Sequence, residues 1–129
     1  MSVLAAEQKE AKTEPITFSV KLREELTALR REFHRFAEPG WLEMRTTSRI
    51  ARELKNMGYE DLLLGDEVCL ADARMGVPSE EDLKVHYCWA EENGADEFFL
   101  PRTAGGFTGV IATLHCGDEI GRASCRERV

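Results

Sequence analysis

The chain has 129 residues, 17 basic against 24 acidic, giving a formal charge of −7 with 43% hydrophobic and 32% charged residues. That balance is ordinary for one soluble globular domain, and it excludes collagen-like, low-complexity and wholly disordered classes. A net-negative chain also argues against non-specific nucleic-acid binding, which needs a basic face to neutralise phosphates.

Apolar runs stay short, as in Val3-Leu4-Ala5-Ala6 and Leu62-Leu63-Leu64, far below the roughly 20 residues of a membrane span. Glu7, Lys9 and Glu10 interrupt the start where a secretory signal would be apolar. Cys69, Cys88, Cys116 and Cys125 show neither a C-x-x-C pair nor regular spacing. They are expected to be reduced thiols in a cytoplasmic protein rather than zinc ligands or a disulfide framework.

Residues 1–17 are polar up to Pro15 and read as a flexible arm. Ser19 then suits a helix N-cap, and Leu22, Leu26, Leu29, Phe33 and Phe36 recur at spacings of four and three. This pattern predicts an amphipathic helix with one buried face, ended by Glu38-Pro39-Gly40. A second helix is expected from Glu43 to Met57, its apolar stripe formed by Ile50, Ala51, Leu54 and Met57 and its C-terminal cap by Gly58. Tyr59 to Leu64 reads as a short strand.

After an irregular stretch, Ser79 is a second N-cap, and Glu80, Glu81 and Asp82 follow where the helix dipole favours anions. Leu83, Tyr87 and Ala90 mark the inner face of this third helix, which Gly94 closes. Phe98-Phe99-Leu100-Pro101 is an apolar knot that requires cover, and Val110 to Leu114 reads as a strand covered on both faces. Three helices and two short strands define an α/β class with an incomplete core, because two strands alone are marginal in water.

Residues 118–129 differ in character from the rest. Glu119 to Val129 carries three arginines against two glutamates and no period of 2 or 3.6. The string resembles the conceptual translation of a sequencing-library adapter read in frame, so it is expected to be a non-native tail on a truncated reading frame. On this reading residues 18–117 hold the folded part, and any activity belongs to a longer parent.

Chemistry-bearing residues are few. His34 and Glu38 stand four apart near the end of the first helix, enough for a local ion pair but short of the three or four ligands a metal needs. His86 with Glu91 or Glu92 is expected on the solvated face of the third helix. His115 and Cys116 end a strand but point to opposite faces. Gly105-Gly106-Phe107-Thr108-Gly109 lacks G-x-G-x-x-G spacing and precedes a strand, so it reads as a turn rather than a phosphate loop. No catalytic or metal-binding residue is assigned. The remaining non-enzymatic reading is a small acidic interaction module docking through Trp89, Phe98 and Phe99.

Leu29-Arg30-Arg31-Glu32-Phe33-His34-Arg35-Phe36-Ala37-Glu38, then Trp41, then Glu43-Met44-Arg45-Thr46-Thr47, and a helix ending Met57-Gly58-Tyr59 together resemble the N-terminal signature of the M20-type metallo-amidohydrolases. Ala37 and Pro39 depart from it, since the family more often has proline directly before the glutamate. The blocks from Gly65 to Val68, from Arg74 to Pro78 and from Gly105 to Leu114 are similar to a narrower group, the p-aminobenzoyl-glutamate hydrolase A subunits. The resemblance covers residues 20–117 and implies the N-terminal piece of a three-layer zinc-peptidase-like catalytic domain.

It further implies two divalent metal ions, zinc or manganese, in the full-length parent, activating a water for attack on an amide, with a glutamate as general base. The products would be p-aminobenzoate and glutamate, or the products of a general N-acyl-amino-acid amidohydrolase. A second subunit or a homodimer is implied for the parent. The ligands and catalytic residues of such enzymes match no position of this chain, so the fragment alone is expected to be inactive.

Overall fold

The computed structural model describes residues 17–117 and 119–125. In chain order it has helix α1 (Val20–Arg35), helix α2 (Met44–Asn56), strand β1 (Asp61–Leu64), helix α3 (Glu80–Glu92), strand β2 (Val110–Cys116) and strand β3 (Glu119–Cys125). Short 3-10 turns occupy Gly65–Glu67, Ala71–Ala73 and Leu100–Thr103. The chain divides into two compact units, one ending at Glu32 and the other beginning at Phe33. Among the described residues, no helix is long and apolar enough to cross a membrane.

In the first unit α1 starts as predicted: the Ser19 hydroxyl accepts from Leu22 N at 3.1 Å. Its predicted buried face is covered only in part, with Leu29 half-buried. No residue of α1 is buried, and Leu22 and Leu26 remain 39% and 48% exposed. Periodicity states which side chains share a face; it does not supply the surface that covers them.

The second unit is built around α2. Met44 packs with Leu83, Ala90 and Leu100, while Ala51 packs with Leu64, Phe99 and Val110. The two residues are seven apart, hence on one face two turns apart. Between them lie Thr47 and Ser48, both buried, and their small side chains let neighbouring backbone come close. Ala51, Ile50 and Leu54 fulfil the predicted stripe, but Met57 is 66% exposed because the helix has already ended at Asn56. Gly58 N bonds to Lys55 O and Tyr59 N to Leu54 O, both at 3.1 Å, the double closure expected of a left-handed glycine cap.

β1 is shorter than predicted, because Tyr59 is held by that cap. β1, β2 and β3 form one antiparallel sheet in that order, with Leu64 opposite Val110, Leu62 opposite Ala112 and Ile111 opposite Ser124. This corrects the two-strand expectation. The third strand comes from residues excluded as a tail, so β2 is the central strand of the described sheet rather than its edge. β2 is also not covered on both faces: Val110 and Ala112 are buried, whereas Ile111 and Thr113 on the other face are half-exposed. In the apolar knot, Phe99 and Leu100 are buried, but Phe98 is 74% exposed, its ring edge-on to Phe99 at 4.9 Å.

Candidate functional site

The polar centre of the second unit is a carboxylate at the start of α2. α1 ends at Arg35, so Glu38 lies beyond the helix, and the predicted pairing with His34 does not form. The Glu38 side chain instead turns to α2, whose first amides have no carbonyl partner within the helix. Oε2 accepts from Arg45 N at 3.0 Å and Oε1 from Thr46 N at 2.7 Å. The negative charge thus sits on the positive end of the α2 dipole, with no exposed side-chain surface.

His86 completes the arrangement. Its Nε2 lies 2.8 Å from Glu38 Oε2, and its ring stacks on Trp89 at 4.8 Å. Predicted on the solvated face of α3 with Glu91 or Glu92, His86 is largely buried and serves α2 instead. Arg45 lies below, its guanidinium 4.0 Å from the Phe36 ring centre and its Nε donating to Asn93 O at 2.7 Å. Both Glu38 oxygens are engaged within the protein, so this carboxylate is a buried cap joining α2 to α3.

A second knot ties α2 to the chain after α3. Arg52 grips Asp96 through Nε–Oδ2 at 2.6 Å and Nη2–Oδ1 at 3.2 Å, and Asp96 Oδ1 also accepts from the Phe98 and Phe99 amides at 3.1 Å. Asp96 N donates to Ser48 Oγ at 3.0 Å, and that hydroxyl donates to Arg45 O at 2.8 Å. Partial burial pushes the Asp96 carboxyl up, but the Arg52 hydrogen bond and the two amides outweigh it and hold it below the usual range. The bond to Asp96 likewise raises Arg52. Because the unfolded chain binds the Asp96 proton more readily, this contribution is complete above the ordinary aspartate value of about 4 and disappears as pH falls through the lower folded value. Asp96→Asn is therefore expected to lower stability at neutral pH and to flatten the acid limb of stability below about pH 4, read by urea unfolding across that range.

A third cluster gathers the glycine-rich turn. The Arg74 guanidinium stands 3.9 Å from the Phe107 ring centre and 5.8 Å from that of Trp41, and Nη1 donates to Gly105 O at 2.9 Å. The Trp41 indole N–H donates to Met75 O at 2.8 Å. Thr108 Oγ1 donates to Glu43 Oε2 at 3.0 Å, and Cys69 Sγ donates to Thr108 O at 3.1 Å. The turn's polar contacts are thus with the protein itself.

The remaining candidates stay apart. His115 on β2 pairs with Asp61 on β1 at 2.7 Å, both more than 60% exposed. Cys69 and Cys88 are free thiols; the Cys116 and Cys125 side chains lie outside the described residues. Among the described residues, no group of three or more His, Cys, Asp or Glu could hold a metal ion. Trp89 is half-buried and Phe99 buried, which leaves Phe98 alone of the three proposed docking aromatics in the open. Sequence reasoning missed the Glu38–His86 pair because 48 residues separate its members. The one local signal was a glutamate just ahead of a helix whose own N-cap position, Glu43, makes no side-chain cap.

The sequence and the fold both match bacterial proteins of which this chain is a homologue, two of them named as hydrolases of amino-acid conjugates. It is 46% identical over 97 residues to the indole-3-acetyl-aspartic acid hydrolase of Enterobacter agglomerans, covering 75% of this chain and 22% of that protein. It is 42% identical over 100 residues to the p-aminobenzoyl-glutamate hydrolase A subunit of Escherichia coli K12, covering 78% of this chain and 23% of the relative. The crystal structure of an aminobenzoyl-glutamate utilization protein from Klebsiella pneumoniae superposes with a TM-score of 0.71 at 50% identity, over 73% of this chain and 24% of that one. No family model matches the chain. The chain thus spans about a quarter of the length of the relatives it matches.

Proposed function

We propose that the chain is a scaffold segment of a metal-dependent amidohydrolase of the M20 type that cleaves an aromatic acyl group from an acidic amino acid. Identity of 46% and 42% to two hydrolases, one named for an indole-3-acetyl aspartate and one for a p-aminobenzoyl glutamate, carries this reading. Both names join an aromatic acyl group to a dicarboxylic amino acid, and p-aminobenzoyl-glutamate is the substrate proposed first. The segment belongs to the three-layer catalytic domain. Its part is mechanical: Glu38 and Asp96 fix α2 against α3 and the sheet.

The described residues do not form a metal centre. The two divalent ions of the proposal therefore take their ligands from residues other than these, and no catalytic step is assigned to a side chain described here. One relative is named as a lettered component of its hydrolase, which supports a second polypeptide in the working enzyme. The free Cys69 and Cys88 agree with a cytoplasmic location.

The test pairs the purified chain with the full-length protein that contains it, each given p-aminobenzoyl-glutamate, indole-3-acetyl-aspartate and a simple N-acetyl amino acid. The full-length protein is expected to release p-aminobenzoate and glutamate, to lose at least about 100-fold in rate with a chelator, and to recover with zinc or manganese. The chain alone is expected to turn over none of them. Hydrolysis by the chain alone would overturn the scaffold role, chelator-resistant hydrolysis the metal role, and preference for the simple acetyl substrate the aromatic specificity.

A further inference from the structure

We propose that Asn93-Gly94 is a covalent modification site, where the asparagine deamidates through a cyclic imide, and that the C-terminal cap of α3 holds this reaction in check. The chain has two asparagines, Asn56 before Met57 and Asn93 before Gly94. Glycine has no Cβ to obstruct the approach of its own nitrogen to the preceding side chain. Gly94 N attacks Asn93 Cγ and forms the new N–Cγ bond. The Cγ–Nδ2 bond breaks, and ammonia leaves carrying the Gly94 amide proton. Water then opens the imide at either carbonyl, giving aspartate, or isoaspartate with the main chain rerouted through the side chain. Water is the sole co-reactant, and nothing is oxidised or reduced.

The fold sets Asn93 against this ring closure, which requires Asn93 Cβ and Gly94 N to eclipse about the Cα–C bond. At ψ 21° it is Asn93's own nitrogen that nearly eclipses Gly94 N, so the nucleophile is turned away from the side chain. The cap holds that geometry: Asn93 N donates to Trp89 O and Ala95 N to Ala90 O, both at 3.0 Å, around Gly94 at φ +85°. Asn93 Nδ2, the leaving group, donates to Trp89 O at 2.7 Å. The main-chain oxygen of Asn93 accepts from Arg45 Nε at 2.7 Å, and rotation about ψ would swing it out of this charge-assisted bond. All of these partners belong to the second unit. Deamidation therefore proceeds from an opened cap, and it leaves the cap damaged. Either product puts a carboxylate at the C-terminal end of α3, where the helix dipole disfavours it. Aspartate also sets an acceptor against Trp89 O where an N–H stood, and isoaspartate displaces the oxygen that Arg45 holds.

The test keeps the purified chain in warm, mildly alkaline buffer, with and without denaturing urea, and follows aspartate and isoaspartate at both asparagines by mass spectrometry of digests. In urea Asn93 is expected to convert well ahead of Asn56, and Gly94→Ala to slow it. In the folded chain Asn93 should convert at least about tenfold more slowly than in urea, because the cap must open first. Arg45→Gln, verified by circular dichroism to keep its helix content, should speed conversion in buffer by about tenfold and leave the rate in urea unchanged. The folded-to-urea ratio of the original chain needs no variant, so the proposal stays testable if Arg45→Gln does not fold. No conversion at Asn93 in urea overturns the site. Equal rates in buffer and in urea overturn the gate, and a folded Arg45→Gln chain as slow as the original overturns the part given to Arg45.

Discussion

Alanine at Gly65 is expected to lower the free energy of unfolding by about 3 kcal/mol or more, the sum of a left-handed backbone penalty and a steric one. Gly65 follows β1 with φ +66°, where an L side chain costs about 1–2 kcal/mol. A Cβ there would stand 2.3 Å from the carbonyl oxygen of Arg102. That atom is backbone and cannot swing away. Arg102 is also fastened back to this corner, since its guanidinium pairs with Glu67 and donates to Leu64 O at 3.4 Å. Gly58 offers the control: φ is +94°, but nothing lies within 4 Å of its would-be Cβ. Gly58→Ala should therefore cost only the backbone share, about 1–2 kcal/mol. Urea titrations of both variants separate the two contributions, and equal losses would show that the Arg102 backbone yields.

Removing the Glu38 carboxylate should be comparably damaging. Glu38→Ala leaves the Arg45 and Thr46 amides and His86 Nε2 without their acceptor. Unsatisfied buried donors cost about 1–3 kcal/mol each, but here water enters part of the space, so a total near ~3 kcal/mol is expected. Glu38→Gln should cost less, because an amide oxygen still accepts while the amide nitrogen does not. His86→Ala removes one of the three contacts and is expected to cost about 1 kcal/mol. The double variant Glu38→Ala, His86→Ala should fall short of the sum of the singles, since both delete the same bond. Amide exchange gives the local signature: with Glu38 replaced, protection at Arg45 and Thr46 should fall before that of the β2 amides. If Glu38→Ala unfolds no more easily than a surface glutamate variant, the capping role is wrong.

Local rules were legible where the physics is local. Ser19 and Ser79 cap helices because a hydroxyl reaches an amide three residues on, and both bonds are present. The inner face of α3 was readable from spacing, with Leu83 and Ala90 buried. The homology was legible for a different reason: several short blocks occur in order, and the motif residues Glu38, Arg45 and Thr46 turn out to be those that knit the turn to α2. The sheet was under-read. Glu119–Cys125 carries little hydrophobic alternation, and a strand recruited by an existing partner needs backbone pairing more than apolar side chains.

By itself, then, the amino-acid order determined where helices start and stop, which residues share a helical face and which proteins the chain is related to, because capping, periodicity and motif order act over a few residues. Tertiary structure alone decided that Glu38 joins His86 rather than His34 and that Asp96 joins Arg52. These are contacts across 48 and 44 residues, formed only when α2, α3 and the loop after it converge, which no pattern within a single helix can specify.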